Sequence, residues 1–189
     1  MKFAPLVAAV IGVLVATSAV AERKKLTPAS PQPASVKSGL NVQYAYPPDV
    51  KNLADAQAAL SAGAERGKPL KGLDYRDTKE GQHALTSKQE HYVAARITGY
   101  VKFDAPGNYE IEFMTNDGLD AKIGGVRVGY TDERTPCDTT RIVDVAVPEA
   151  GWYPVDILWF QRWKSSCLHM RWGKEGQKRT WTPNSAFGR

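Results

Sequence analysis

The sequence has few of the residues that most often carry catalysis or bind metals. Among 189 residues there are two cysteines and three histidines, and two cysteines alone cannot form a structural zinc site. The Gly-x-Ser-x-Gly, His-Glu-x-x-His and glycine-rich phosphate-loop motifs of common enzymes are also missing from the sequence. These absences predict a protein that is not an enzyme.

Charge and periodicity exclude several further classes. The net charge is only +5, and the basic residues do not form the run or patch that is typical of a nucleic-acid-binding protein. The 16 glycines and 12 prolines show no period, which excludes collagen-like and coiled-coil chains. The hydrophobic fraction of 42% instead suits one packed domain with a tail.

The first 21 residues predict a cleaved secretory signal peptide. Lys2 precedes a hydrophobic run, residues 6–15, and the small residues Ala19-Val20-Ala21 form an A-x-A cleavage site. The run is too short to cross a bilayer comfortably, so we expect no membrane span in the mature chain. The protein is therefore expected to be periplasmic or extracellular.

Residues 22–38 predict a disordered tether, because a charged stretch is followed there by a tract rich in proline, serine and alanine. The domain itself is expected at residues 39–189, built mainly of β-strands. Hydrophobic alternation predicts strands near residues 40–45, 93–103, 109–115, 119–123, 126–130, 141–147, 152–160 and 168–172. Asn52 can cap one short helix, residues 52–62. This pattern is typical of an all-β fold, an antiparallel sandwich or barrel.

Strand direction then predicts where the loops lie. Because the connections after residue 109 are short, successive strands should alternate in direction, with Asp117-Gly118 as a hairpin turn. Three loops, residues 116–118, 131–139 and 161–166, would then converge at one end. Cys137 and Cys167 would lie at that end too, and in an oxidising compartment we expect them to form a disulfide.

Two candidate ligand sets lie at this end. The oxygen-rich side chains of Asn116, Asp117 and Asp120 could hold calcium, although Asn-Asp-Gly is equally ordinary turn chemistry. Trp163, next to Arg162, falls beyond the buried alternation of its strand. Its ring could stack on a sugar or, alternatively, fold back over the disulfide as a lid.

The loops at this end carry nearly balanced charge, which favours a neutral polar ligand such as a sugar over an anion. The acidic residues are Asp117, Asp132, Glu133 and Asp138, and the basic residues are Arg134, Arg162 and Lys164.

Several motifs of the sequence resemble those of one known family and occur in the same order. Residues 38–44 resemble the Gly-Leu-x-x-x-Tyr opening of the protective-antigen-type domain, a β-barrel module of anthrax protective antigen that also forms the lectin domain of yeast flocculins. Four later segments resemble its hairpin, its aromatic strands and its Pro-x-Ser-x-aromatic end: residues 113–125, 148–160, 168–172 and 181–187. The resemblance spans residues 39–187.

This resemblance implies the same β-fold and a role in binding. Members that bind glycans use calcium held by two consecutive aspartates joined by a cis peptide, and here Asn116 and Asp117 occupy those two positions. We therefore expect a secreted or periplasmic, non-catalytic module that binds glycans through the loops at one end. The alternative is a structural subunit that contacts a protein of a cell-envelope assembly.

Overall fold

The computed structural model describes residues 23–189, so the signal peptide expected at residues 1–21 lies outside the described part. Two β-sheets of seven strands each pack face to face. In chain order the strands are β1 (Lys24–Lys25), β2 (Asn41–Ala45), β3 (Glu65–Arg66), β4 (Asp74–Tyr75), β5 (Val93–Phe103), β6 (Gly107–Asn116), β7 (Leu119–Ile123), β8 (Val126–Thr131), β9 (Asp138–Thr139), β10 (Val143–Val147), β11 (Gly151–Gln161), β12 (Cys167–Lys174), β13 (Thr180–Trp181) and β14 (Phe187–Gly188).

Sheet 1 has the order β1-β10-β6-β12-β13, with β4 on β12 and β9 on β6. Sheet 2 has the order β3-β2-β5-β11-β7-β8, with β14 on β5. All described strand pairs are antiparallel except β1 with β10. Since the two sheets remain separate, the structure confirms the all-β antiparallel prediction as a sandwich and not as a closed barrel.

The core lies between the sheets and follows the alternation of the long strands. In β11, Tyr153, Val155, Ile157 and Trp159 are buried, and the residues that alternate with them, 154, 156 and 158, are more exposed. The indole N–H of Trp159 donates to the hydroxyl of Thr115 on the opposite sheet (3.1 Å). That bond satisfies the one polar atom of the largest buried side chain.

The predicted helix is present as α1 (Leu53–Gly63). The side chain of Asn52 caps it by accepting the backbone N–H of Asp55 (2.8 Å). Its buried residues pack on the outer face of sheet 2 against Ala94 and Phe160. Neither α1 nor the 3₁₀ turn at Asn184–Ala186, the helices in residues 23–189, has the length and hydrophobicity that a membrane crossing requires.

Residues 23–38, here called the N-terminal strap, run along the sandwich, in contrast to the expected disordered tether. β1 pairs with β10, and the side chain of Leu26 is 1% exposed within the core. One residue later, the backbone N–H of Thr27 donates to the carbonyl of Gly124 in the turn between β7 and β8 (2.9 Å). Composition did not reveal this, because backbone hydrogen bonds and one buried leucine fix a segment whose other side chains are mostly exposed.

Three connections at one end of the sandwich change sheet. Residues 116–118 lead from β6 in sheet 1 to β7 in sheet 2, so the expected hairpin at Asp117-Gly118 is wrong: the two strands it joins are not paired. A side chain at Gly118 would place its Cβ 2.1 Å from the ring of Phe160, so the crossing needs glycine. The loops after β8 and β11 return the chain to sheet 1.

Candidate functional site

The three loops that cross between the sheets meet at one end, as strand direction predicted. Together they line an open cavity of about 420 Å³. We call this cavity the loop pocket. Four residues that the sequence proposed as ligand-binding line it: Asn116, Asp117, Arg162 and Trp163. The other lining residues are Arg134, Thr135, Pro136, Lys164 and Ser165. Its size is that of an ordinary small-ligand site.

A disulfide joins Cys137 and Cys167, which confirms the predicted pairing. Cys167 opens β12 directly opposite Asn116 in the register of sheet 1. The bridge therefore ties the loop after β8 to the strand next to the pocket wall. Such a crosslink reduces the freedom that loops lose when they bind a ligand.

Asp117 joins all three loops by hydrogen bonds. One carboxylate oxygen accepts the backbone N–H of Thr135 (3.2 Å), and the other accepts the backbone N–H of Arg162 (2.7 Å). Burial raises the pKa of Asp117 above its ordinary value of 3.8, and the two N–H donors partly oppose that effect. Asp117 thus holds the shape of the pocket as well as lining it.

Asn116, the last residue of β6, forms part of the pocket wall. Its side chain is buried, and its amide oxygen has no hydrogen-bond partner in the structure. An unpaired buried acceptor is costly, so this amide is a place where a polar group of a ligand or a water would be stabilising.

Trp163 stands at the mouth of the loop pocket with 52% of its surface exposed. One face of the indole is stacked on the imidazole of His91, with ring centroids 4.7 Å apart and planes 11° apart. The ring of Tyr92 lies at 5.6 Å on a tilted plane. Trp163 is therefore held in place by its neighbours and is not a lid buried over the disulfide.

The backbone around Trp163 is also fixed. The buried amide of Gln161 donates to the carbonyls of residues 163, 164 and 165, each at 3.0 Å. Lys164 has a positive φ of 65°, a conformation that turns the chain sharply. The loop that presents the indole is thus shaped by internal bonds before any ligand arrives.

Arg162 lines the pocket, but its charge is already paired. Its guanidinium donates two bonds to the carboxylate of Asp49, at 2.7 and 3.1 Å. This bidentate contact lowers the pKa of Asp49 to about 2. Sequence reasoning missed both Asp49 and His91, because nothing in their local sequence indicates that they face a loop far along the chain.

The predicted calcium set is not brought together. Asp120 lies on the outer face of sheet 2, where both of its carboxylate oxygens accept bonds from Arg127 (2.8 and 2.9 Å). The alternation of β7 explains this, because Leu119 points into the core and Asp120 must point out. Within residues 23–189 the peptide between Asn116 and Asp117 is trans.

The remaining donors do not fit calcium. The pocket supplies a single carboxylate, that of Asp117, and each of its oxygens already accepts a backbone N–H. Calcium binds six to eight oxygens, which usually include several from carboxylates. Among the described residues, the one cluster of three His, Cys, Asp or Glu side chains close enough to share a metal ion is Cys137, Cys167 and His169, and its two sulfurs are bonded to each other. We therefore assign no calcium site to the loop pocket.

The fold and the pocket define a β-sandwich domain whose candidate site lies on the loops that cross between its two sheets. The PA14 domain model matches residues 72–185, more than half of the chain, and the chain belongs to the PA14 domain family. This confirms the resemblance at the level of the fold family. A search of the curated proteins finds no match to this chain.

Solved structures with the same fold include several adhesion domains. The PA14 domain of the MpAFP antifreeze protein superposes with a TM-score of 0.68 at 16% identity, covering 82% of this chain and 93% of that one. The PA14 sugar-binding domain of an RTX adhesin gives 0.62 at 15% identity, with 82% and 99% covered. The epithelial adhesin 9 A domain of Candida glabrata, solved with Galβ1-4GlcNAc, gives 0.64 at 14% identity, with 88% and 95% covered.

Proposed function

We propose that this protein is a secreted or periplasmic, non-catalytic module that binds glycans in the loop pocket. The observation that carries the proposal is the half-exposed indole of Trp163, held flat against His91 at the mouth of a polar pocket. A rigid aromatic face beside hydrogen-bonding groups is the arrangement that stacks on the apolar face of a sugar ring and bonds its hydroxyls.

The comparisons support the same function. Two of the structures that share this fold are a sugar-binding adhesin domain and an epithelial adhesin in complex with a disaccharide. The signal-like sequence at residues 1–21 and the disulfide support a location outside the cytoplasm.

The alternative, a structural subunit that contacts another envelope protein, would be favoured by a flat apolar surface around a buried Trp163. The indole is instead half exposed, next to a concave pocket lined by charged and polar groups. We therefore place the glycan-binding function first.

A glycan array tests the proposal, followed by titration of the best glycan against two matched variants. Trp163→Ala removes the exposed indole of the pocket and should weaken binding at least about tenfold. Tyr130→Ala removes an aromatic side chain of similar exposure, 48%, that lies in β8 outside the pocket. It should bind like the unaltered protein. Equal binding by both variants, or no glycan bound, would refute the proposal.

A further inference from the structure

The charge of the loop pocket differs from that of the loops taken as a whole. Three cationic side chains, those of Arg134, Arg162 and Lys164, line it together with one carboxylate, that of Asp117. The nearly balanced charge expected from the sequence included Asp132, Glu133 and Asp138, which do not line the pocket. The pocket itself therefore carries an excess of positive charge.

The other acidic residues of these loops lie outside the lining of the pocket. Asp132 accepts the backbone N–H of Leu53 at the start of α1 (2.6 Å). Asp138 belongs to β9, and neither it nor Glu133 lines the loop pocket. Their carboxylates therefore do not occupy the space where a ligand would sit.

Two of the cations are free to meet a ligand. Arg162 is neutralised by Asp49, but Arg134 and Lys164 are exposed and form no ion pair with any residue of the described chain, 23–189. Arg134 lies in the loop after β8 and Lys164 in the loop after β11. These are the two loops whose backbone N–H groups bond to Asp117.

Both cations are attached to backbone that is already held in place. The residue after Arg134 is Thr135, whose N–H is bonded to Asp117. The carbonyl of Lys164 accepts a bond from Gln161. Fixed attachment points reduce the entropy that is lost when the two side chains close on an anion.

The carboxylate of Asp117 offsets part of this positive charge: its attraction to Arg134 and Arg162 opposes the rise that burial causes in its pKa. It is buried, and each of its oxygens accepts a backbone N–H. Because Arg134 and Lys164 are two cations without an ion-pair partner among the described residues against this one carboxylate, the pocket keeps an excess of positive charge. The groups that a ligand meets first are Arg134, Lys164 and the indole of Trp163.

We propose, as a refinement that rests on the glycan-binding function, that the loop pocket selects sugars that carry a carboxylate, such as uronic acids. The carboxylate pairs with Arg134 and Lys164, through charge-assisted bonds that are stronger than those to a hydroxyl. The sugar ring lies against Trp163. Guanidinium geometry matches a carboxylate, so Arg134 also supplies specificity.

Two methyl glycosides that differ only at C6 test this selection. Methyl galacturonoside carries the carboxylate and methyl galactoside carries a hydroxymethyl group in its place. Titration at low salt should show about tenfold tighter binding of the uronide. The preference should shrink at high salt, because screening weakens an exposed ion pair more than it weakens stacking.

In the double variant Arg134→Gln/Lys164→Gln the ratio of the two affinities, uronide over galactoside, should fall to about one. Lys122→Gln/Lys178→Gln removes the same charge from two lysines outside the loop pocket, and should keep the preference. Equal binding of the two glycosides by the unaltered protein, or tighter binding of the galactoside, would overturn the inference and leave the proposed function standing. Binding of neither glycoside would also overturn it, whereas a glycan array without any hit would overturn the proposed function as well.

Discussion

The carboxylate of Asp117 accepts the backbone N–H of Arg162 at 2.7 Å, across 45 positions of the chain. The same carboxylate accepts the N–H of Thr135. One buried side chain thus connects the loops that follow β6, β8 and β11. Its two hydrogen bonds hold the loops that form the pocket in their relative positions.

Asp117→Ala should destabilise the protein as well as alter the pocket, because two partly buried backbone N–H groups lose their acceptor. The expected loss in the free energy of unfolding is about 1–3 kcal/mol. Asp138→Ala is the matched control, since Asp138 is exposed and its side chain bonds only to the N–H of the next residue. Urea unfolding measures both. Equal free energies of unfolding for the two variants would show that the hydrogen bonds of Asp117 to the other two loops do not stabilise the protein.

The N-terminal strap should contribute to stability through Leu26. Leu26→Ala removes a fully buried side chain at the edge of the core, at a cost of about 2–4 kcal/mol in the free energy of unfolding. Lys25→Ala, one residue earlier and exposed, should change stability little. Thermal unfolding compares them. A Leu26→Ala variant as stable as Lys25→Ala would show that the segment is a loose tether after all.

Stability should decrease in mildly acidic solution because of His169. Burial lowers the pKa of this imidazole below its ordinary value of 6.5, so the folded protein keeps it neutral where the unfolded chain takes up a proton. The free energy of unfolding therefore falls as the pH drops from 6.5 towards the folded pKa of His169.

Urea unfolding at about pH 7.5 and about pH 5.5 measures this dependence. His169→Gln should make stability less sensitive to pH over that interval. His83→Gln changes an exposed histidine and should leave the dependence intact. An unchanged pH dependence in His169→Gln would assign the effect to another group.

Removal of divalent cations should leave glycan binding unchanged. Asp120 is paired with Arg127 on the outer face of sheet 2, and the pocket offers only the carboxylate of Asp117 beside cationic side chains. Titration of the best array glycan with and without a chelator checks this. Binding that disappears with the chelator and returns with calcium would contradict the assignment of no calcium site.

Much of the fold could be predicted from the sequence, because it rests on local patterns. Alternation located the long strands and the cap at Asn52 located the helix. Strand direction placed Cys137 and Cys167 at the same end. The two-residue strands could not be predicted, since each is defined by a partner strand and not by its own side chains. The strap depends in the same way on β10 and on the β7–β8 turn.

The site was predictable in part. Trp163 stood out because it lies beyond the buried alternation of β11, and Asn116 and Asp117 because they are oxygen-rich residues at the end of β6. The position of Asp120 could also have been read from the sequence, since the buried Leu119 beside it forces it outward. The roles of His91 and Asp49 could not be predicted from the sequence. His91 contacts a residue 72 positions away, and Asp49 contacts one 113 positions away.

The central claim, that the loop pocket binds a glycan, is tested most directly by NMR titration of the ¹⁵N-labelled protein with the best array glycan. The account predicts that the largest shift changes fall on the amides of residues 116–117, 134–135 and 162–165, and on the indole N–H of Trp163. Changes centred instead on the groove of about 610 Å³ between α1 and Pro47-Pro48, with the loop pocket unaffected, would contradict it.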